Sequence, residues 1–182
     1  MVADVISAHE AKEEGLRLFQ ERLYPEAASR FKQAQEMFVA EGDEFEAAEM
    51  LNNLGVIHRL QREWGEAVAA LDEARATFAA LGDRSREAQV LGNLGGVHAD
   101  QGQRQAAGDC LREAAAMFAA LSDDQRRGET LLALGVQKWR SGDRVEALTT
   151  YQAGLETLER PSAGQKALRS LLHLRNMLLG GG

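Results

Sequence analysis

The sequence predicts an all-α protein, an array of antiparallel helix pairs stacked as a solenoid. Three observations carry that expectation. A stretch recurs at a fixed step: LNNLGVIH begins at 51, LGNLGGVH at 91 and LLALGVQK at 131, each 40 residues after the last. Alanine, leucine, glutamate and arginine dominate, and Pro25 and Pro161 are the only prolines, a composition that favours helix. Between the periodic segments lie short polar turns rich in helix breakers, QREWGE, DQGQRQ and RSGDRV.

Whole columns keep the same step. Gly15, Gly55, Gly95 and Gly135 form one; Ala27, Ala67, Ala107 and Ala147 another. Phe31, Leu71, Leu111 and Tyr151 follow, then Ala34, Ala74, Ala114 and Gly154, then Phe38, Phe78, Phe118 and Leu158. A fixed period of this size means that each unit buries its apolar face against its neighbours. Within a unit, Leu51, Leu54 and His58 share one helical stripe, and Ala67, Leu71, Ala74 and Phe78 another. Asp43, Asp83 and Asp123 are placed to cap the helix that follows.

In chain order the pattern predicts nine helices, at about 3–21, 25–41, 43–61, 64–81, 84–101, 104–121, 123–141, 144–159 and 162–179. They group as one array over 1–182, with repeats at about 3–41, 43–81, 84–121 and 123–159 and a capping helix at 162–179. The mid-helix glycines fit this scheme. Gly55 faces the partner helix of its own hairpin, opposite Ala67, and two small residues let the axes approach. The glycine costs about 1 kcal/mol against alanine. Burial of the surrounding leucines and Phe78 offsets it, at roughly 1.5–3 kcal/mol per large side chain.

Charge and cysteine usage narrow the function classes. A net charge of −7 offers no broad basic surface, so neither nucleic acid nor an anionic membrane is an expected partner. One cysteine, Cys110, excludes an internal disulfide and fits a reducing compartment. Acidic residues arrive early in MVADVISAHEAKEEG, unlike a signal peptide, and no apolar run approaches the roughly 20 residues that span a bilayer. A cytoplasmic protein is expected.

No catalytic residue, cofactor or metal site is expected. His58 and His98 occupy equivalent sites in successive repeats, about 10 Å apart by ordinary helix packing, too far for two short bonds to one zinc. His9 and His173 lie near opposite ends of the chain. Cys110 has no evident base beside it. GNLGG does not follow a strand and lacks dinucleotide-motif spacing.

The columns resemble the tetratricopeptide repeat. Leu54-Gly55, Ala67, Leu71 and Ala74 match its pattern, with their counterparts in the third unit; the fourth departs at Gly154 and the first at Glu14. The 40-residue period resembles the longer-helix branch that includes kinesin light chains and Pins-type adaptors. LNNLGVIHRLQREWGEA resembles a kinesin light chain repeat. That resemblance implies a right-handed superhelix whose first helices line a concave groove, and a protein or peptide partner lying in it.

On that analogy the groove is lined by Asn52, Asn53, Val56, Arg59, Gln89, Gly92, Asn93, Gly96, Leu132, Val136, Trp139 and Arg140. Asn53 and Asn93 share a column. A carboxamide offers donors and an acceptor together, so stacked asparagines suit a ligand backbone; bonding to neighbouring helices is the plainer alternative. Gly92 and Gly96, beside Gly95, form either a bare floor under a ligand or a tight contact between repeats. Trp139 either anchors a ligand side chain or packs between helices. Arg59 and Arg140 would add selectivity.

The last helix repeats the register once more, with Leu171 and Leu174 continuing the Leu51 and Leu54 columns. Leu171, Leu172, Met177, Leu178 and Leu179 exceed one buried stripe, which suggests self-association, for instance as a homodimer, or a chain cut from a longer protein. A self-assembling scaffold and a sensor fragment of a bacterial regulator therefore stand as alternatives to a peptide-binding adaptor.

Overall fold

The structure, a computed structural model, describes residues 6–178, with side chains through His173. Among the described residues the chain is all helix: α1 (Ala8–Gln20), α2 (Tyr24–Glu41), α3 (Glu44–Gln61), α4 (Trp64–Ala80), α5 (Arg84–Asp100), α6 (Arg104–Ala120), α7 (Asp124–Ser141), α8 (Arg144–Thr157) and α9 (Ala163–Leu178). The odd-numbered helices α1, α3 and α7 pair with α2, α4 and α8 to form hairpins. This is an all-α helical-repeat solenoid fold.

The ends of the helices follow from named residues. α1 starts at Ala8 because Ser7 makes a capping box; the start expected near residue 3 lies outside the described residues. The Glu10 backbone N–H donates to Ser7 Oγ at 3.2 Å, and the Ser7 N–H donates to Glu10 Oε2 at 2.8 Å. The three expected aspartate caps are in place. The N–H groups of Glu46, Arg86 and Arg126 donate to Asp43, Asp83 and Asp123 at 3.0, 2.9 and 2.9 Å.

α8 stops at Thr157, short of the expected 159, because Leu158 is extended (φ −60°, ψ 124°). Leu158 is buried, 4% exposed, and its Cδ2 would lie 2.9 Å from a Cβ added to Gly128. Pro161 then bars the helical conformation at Arg160, whose N–H donates to Gln125 Oε1 at 3.0 Å.

The glycine column has a common cause. A Cβ at Gly15 would fall 2.7 Å from Phe31, at Gly55 2.5 Å from Leu71, and at Gly135 2.8 Å from Tyr151. Each glycine admits the bulky residue sixteen positions on, across the hairpin. At Gly55 the Ala67 carbonyl is also near, 3.3 Å from that Cβ, but Leu71 is the closer neighbour.

By internal contacts the chain divides into two compact units, Met1–Val97 and His98–Gly182, the boundary falling inside α5. The core of the first includes Phe31, Phe38, Met50, Ile57, Leu71, Phe78 and Leu91, each fully enclosed. The second is built on Leu111, Phe118, Leu134, Ala147, Leu155 and Leu158.

Candidate functional site

In the first unit the residues expected to line a groove lie on α3 and the first part of α5. Asn52 is a correction to that expectation. It is 4% exposed, and its Oδ1 accepts from Asn93 Nδ2 at 2.8 Å. The carboxamides therefore join two successive first helices, and Asn52 is enclosed rather than presented. A buried polar group of this kind needs its partner. Asn53 and Asn93 are half-buried, as is Val56. Asn93 gives one N–H to Asn52; a primary amide has a second donor and an acceptor left to offer.

Gly92 and Gly96 separate in meaning. A Cβ at Gly96 would run into the guanidinium of Arg59, so this glycine leaves room for that arginine against α5. Arg59 is accordingly half-buried against α5 and is itself part of the helix-to-helix contact. Around Gly92, by contrast, nothing lies within 4 Å of where its Cβ would be. Packing does not require a glycine there. It leaves bare helix backbone beside Asn93.

Charged side chains frame this face. Lys12 Nζ lies 2.6 Å from Glu46 Oε2, and Arg86 Nε 3.2 Å from Glu49 Oε1. Glu49 Oε1 has no aligned hydrogen bond, so the attraction to Arg86 is coulombic. Burial pushes the Glu49 carboxyl above its usual range; Arg86 opposes that shift without cancelling it. Gln89 is half-buried and accepts from Arg86 at 3.2 Å.

In the second unit Val136 and Trp139 do come together, in a cleft of about 170 Å³ between α7 and α8, lined by Gly135, Val136, Trp139, Ala147, Leu148 and Tyr151. Val136, Trp139 and Leu148 are 43, 52 and 45% exposed. The Arg144 guanidinium lies 5.5 Å from the centre of the Trp139 ring, within cation–π range. Leu132 is half-buried on α7 and Arg140 exposed. Leu148 and Tyr151 were missed as site residues because the second helices are not expected to line a groove. The available signal was Leu148 itself, where earlier copies carry Ala28, Val68 and Gly108.

On α9, Leu171 is 63% exposed and Leu172 half-buried. The side chains of Met177 and Leu178, and all of Leu179, lie outside the described residues. Three of the four histidines make local contacts. Nδ1 of His58 lies 2.6 Å from Glu63 Oε2 and Nδ1 of His98 2.7 Å from Gln103 Oε1, each tying a first helix to its own turn. His9 meets Phe38 edge-on, ring centres 5.1 Å apart. Among the described residues no three of His, Cys, Asp and Glu gather as a metal set, and no helix is long and apolar enough to cross a membrane.

The repeat now has an independent match. The tetratricopeptide repeat profile fits residues 46–120 and, one period later, 86–160. The chain belongs to the tetratricopeptide repeat family. This fold is generally a non-catalytic mediator of protein–protein interaction. No curated protein sequence matches the chain. Among solved structures it is similar to BtubC (BKLC) from P. vanneervenii, with a TM-score of 0.76 and 21% identity over 86% of this chain and 68% of that one. It is also similar to aspartyl phosphate phosphatase F from Bacillus subtilis, with a TM-score of 0.74 and 18% identity over 82% of this chain. This tetratricopeptide chain spans 39% of the phosphatase's length. Both likenesses are of fold.

Proposed function

We propose that the chain is a non-enzymatic interaction module of the cytoplasm that holds an extended peptide of a protein partner on its first-helix face, with Asn53, Asn93 and Gly92 at the centre. The observation that carries this is Gly92. A glycine inside a helix costs about 1 kcal/mol against alanine, and here packing gives no return, since a Cβ would meet nothing within 4 Å. Bare backbone is what a ligand main chain needs for close approach. Asn93 beside it, and Asn53 on α3, supply amide donors and acceptors that suit a peptide backbone whatever its side chains. The family's general role in protein interaction agrees with this reading.

The test uses Gly92→Leu, which fills the bare site without touching the core, and Asn53→Ala. Wild type would first be used to select ligands from a displayed peptide library. Both variants should keep the wild-type helical signal, and Gly92→Leu should melt no lower than wild type, leucine being the better helix former. Gly92→Leu should weaken the selected peptides by about tenfold or more, and Asn53→Ala by several-fold. Undiminished binding by Gly92→Leu would move the site elsewhere.

A further inference from the structure

The α7–α8 cleft is a vacant helix slot. Earlier in the chain the corresponding positions are covered. Phe31, Leu71 and Leu111, the counterparts of Tyr151, are 1, 0 and 5% exposed, whereas Tyr151 is half-buried. Arg59, the counterpart of Trp139, is pressed against Gly96 of the next first helix, while Trp139 is 52% exposed. What covers an internal repeat is the first helix of the next one. The fourth repeat lacks that cover.

The same chain carries a helix built to supply it. α9 continues the first-helix register, with Leu168 in the column of Ala48 and Ala88 and Leu171 in that of Leu51 and Leu91. Ala48, Ala88 and Leu91 are 1, 0 and 0% exposed, but Leu168 is 37% and Leu171 63% exposed. Among the described side chains of α9 the half-buried ones are instead Gln165, Arg169 and Leu172, a stripe at spacings of four and three. That stripe is the side turned to its own chain, where α9 meets α8. Its apolar edge, Leu168 and Leu171, is left over.

Charge agrees. Glu49 on α3 and Arg86 on α5 form an ion pair between successive first helices. In the same columns Glu129 stands exposed on α7 and Lys166 exposed on α9. A helix seated in the slot in register would bring a lysine to Glu129.

We infer that the chain forms a two-fold dimer in which α9 of each copy lays Leu168 and Leu171 into the Val136–Trp139–Leu148 cleft of the other. Reciprocal insertion buries both leftover surfaces at once and closes the assembly, as an isologous contact must. It rests on residues separate from the proposed peptide site, so either can fail alone.

The experiment is sedimentation velocity of the full chain over a wide concentration series, with Trp139→Asp and Leu171→Asp alongside. Wild type should shift from monomer to dimer with concentration. Each variant should dimerise at least about tenfold more weakly, because a buried large apolar side chain contributes that much or more. A mixture of the two variants should recover dimer, since the mixed pair keeps one intact slot and one intact helix facing each other. Both residues are exposed, so the fold should survive; circular dichroism checks it. A second measurement does not depend on charge insertion. Leu148→Cys with Leu171→Cys, in a Cys110→Ser background, should on oxidation give a covalent dimer. A wild-type monomer at every concentration, a dimer untouched by both aspartates, or a disulfide formed only within one chain would each overturn the inference.

Discussion

α3 and α7 are the same helix one and three repeats into the array, yet they meet different surroundings. On α3 the next first helix is present: Asn93 bonds to Asn52, Arg86 pairs with Glu49, and Gly96 receives Arg59. On α7 the corresponding edge is open and, Glu129 apart, apolar, with Val136 and Trp139 exposed above Tyr151 and Leu148. The hairpins themselves are alike, each with a glycine admitting a bulky residue from the partner helix. The difference shows that a repeat sequence encodes two separate things. One is the hairpin, which closes on itself. The other is the lateral edge, whose chemistry depends on the neighbour it expects. Polar pairing at an edge suits a contact that is always made; an apolar edge suits one still to be filled.

The largest test of this compares one column. Leu71→Ala should cost about 2–5 kcal/mol, the range for a fully enclosed leucine. Tyr151→Ala should cost less, below about 2 kcal/mol, because the ring already borders an open cleft. Both are read from urea denaturation of the full chain at low concentration. An equal loss at both sites would mean that the fourth repeat is as well covered as the second.

Next come the glycines, where a closed hairpin contact and an open site predict opposite signs. At Gly135 a Cβ would stand 2.9 and 3.0 Å from the Tyr151 backbone nitrogen and Cα, atoms that cannot swing aside. Gly135→Ala should therefore destabilise by about 1–3 kcal/mol despite the better helix former. Gly92→Ala meets open space and should stabilise by up to about 1 kcal/mol. If Gly92→Ala destabilises, the bare site is a packing contact, and the peptide reading loses its main support.

These cases mark how far the sequence could be read. The hairpins were legible because their cause is local and repeated. The 40-residue step set the helices to within a residue or two over most of the chain, and the aspartate caps and the Gly55 column followed from it. α8 was overrun because Leu158 leaves the helix to fill a space beside Gly128, a tertiary demand with no local signal. Lateral contacts were less legible. Asn52 and Asn93 are both polar and lie on successive first helices, and only the structure shows that one Asn93 N–H is given to Asn52. Gly92 and Gly96 look equivalent in sequence and differ completely in space. Trp139 and Val136 were read as lining a groove of first helices, whereas their companions Leu148 and Tyr151 come from a second helix. A periodic pattern reports which face is buried, not which neighbour buries it.

The smallest expected effect sharpens the same contrast through pH. Glu49 keeps 16% of its side-chain surface exposed and has Arg86 opposite, yet burial still holds its carboxyl above the usual range. The folded state therefore binds this proton more tightly than the unfolded chain. Below the unfolded value both states hold the proton and there is no penalty. As pH rises from there through the raised folded value, stability is lost. Glu49→Gln removes the titration, so it should be more stable than wild type at neutral pH, with the advantage shrinking as pH falls through the carboxylate range. Glu129→Gln, on the exposed counterpart, should leave stability at neutral pH nearly unchanged. Urea midpoints measured across a pH series decide it. A Glu49→Gln variant that is weaker at neutral pH would show that the Arg86 attraction outweighs burial. The α3 edge would then be held by its ion pair in spite of the desolvation, and the polar edge would be a stabilising seam rather than one merely satisfied.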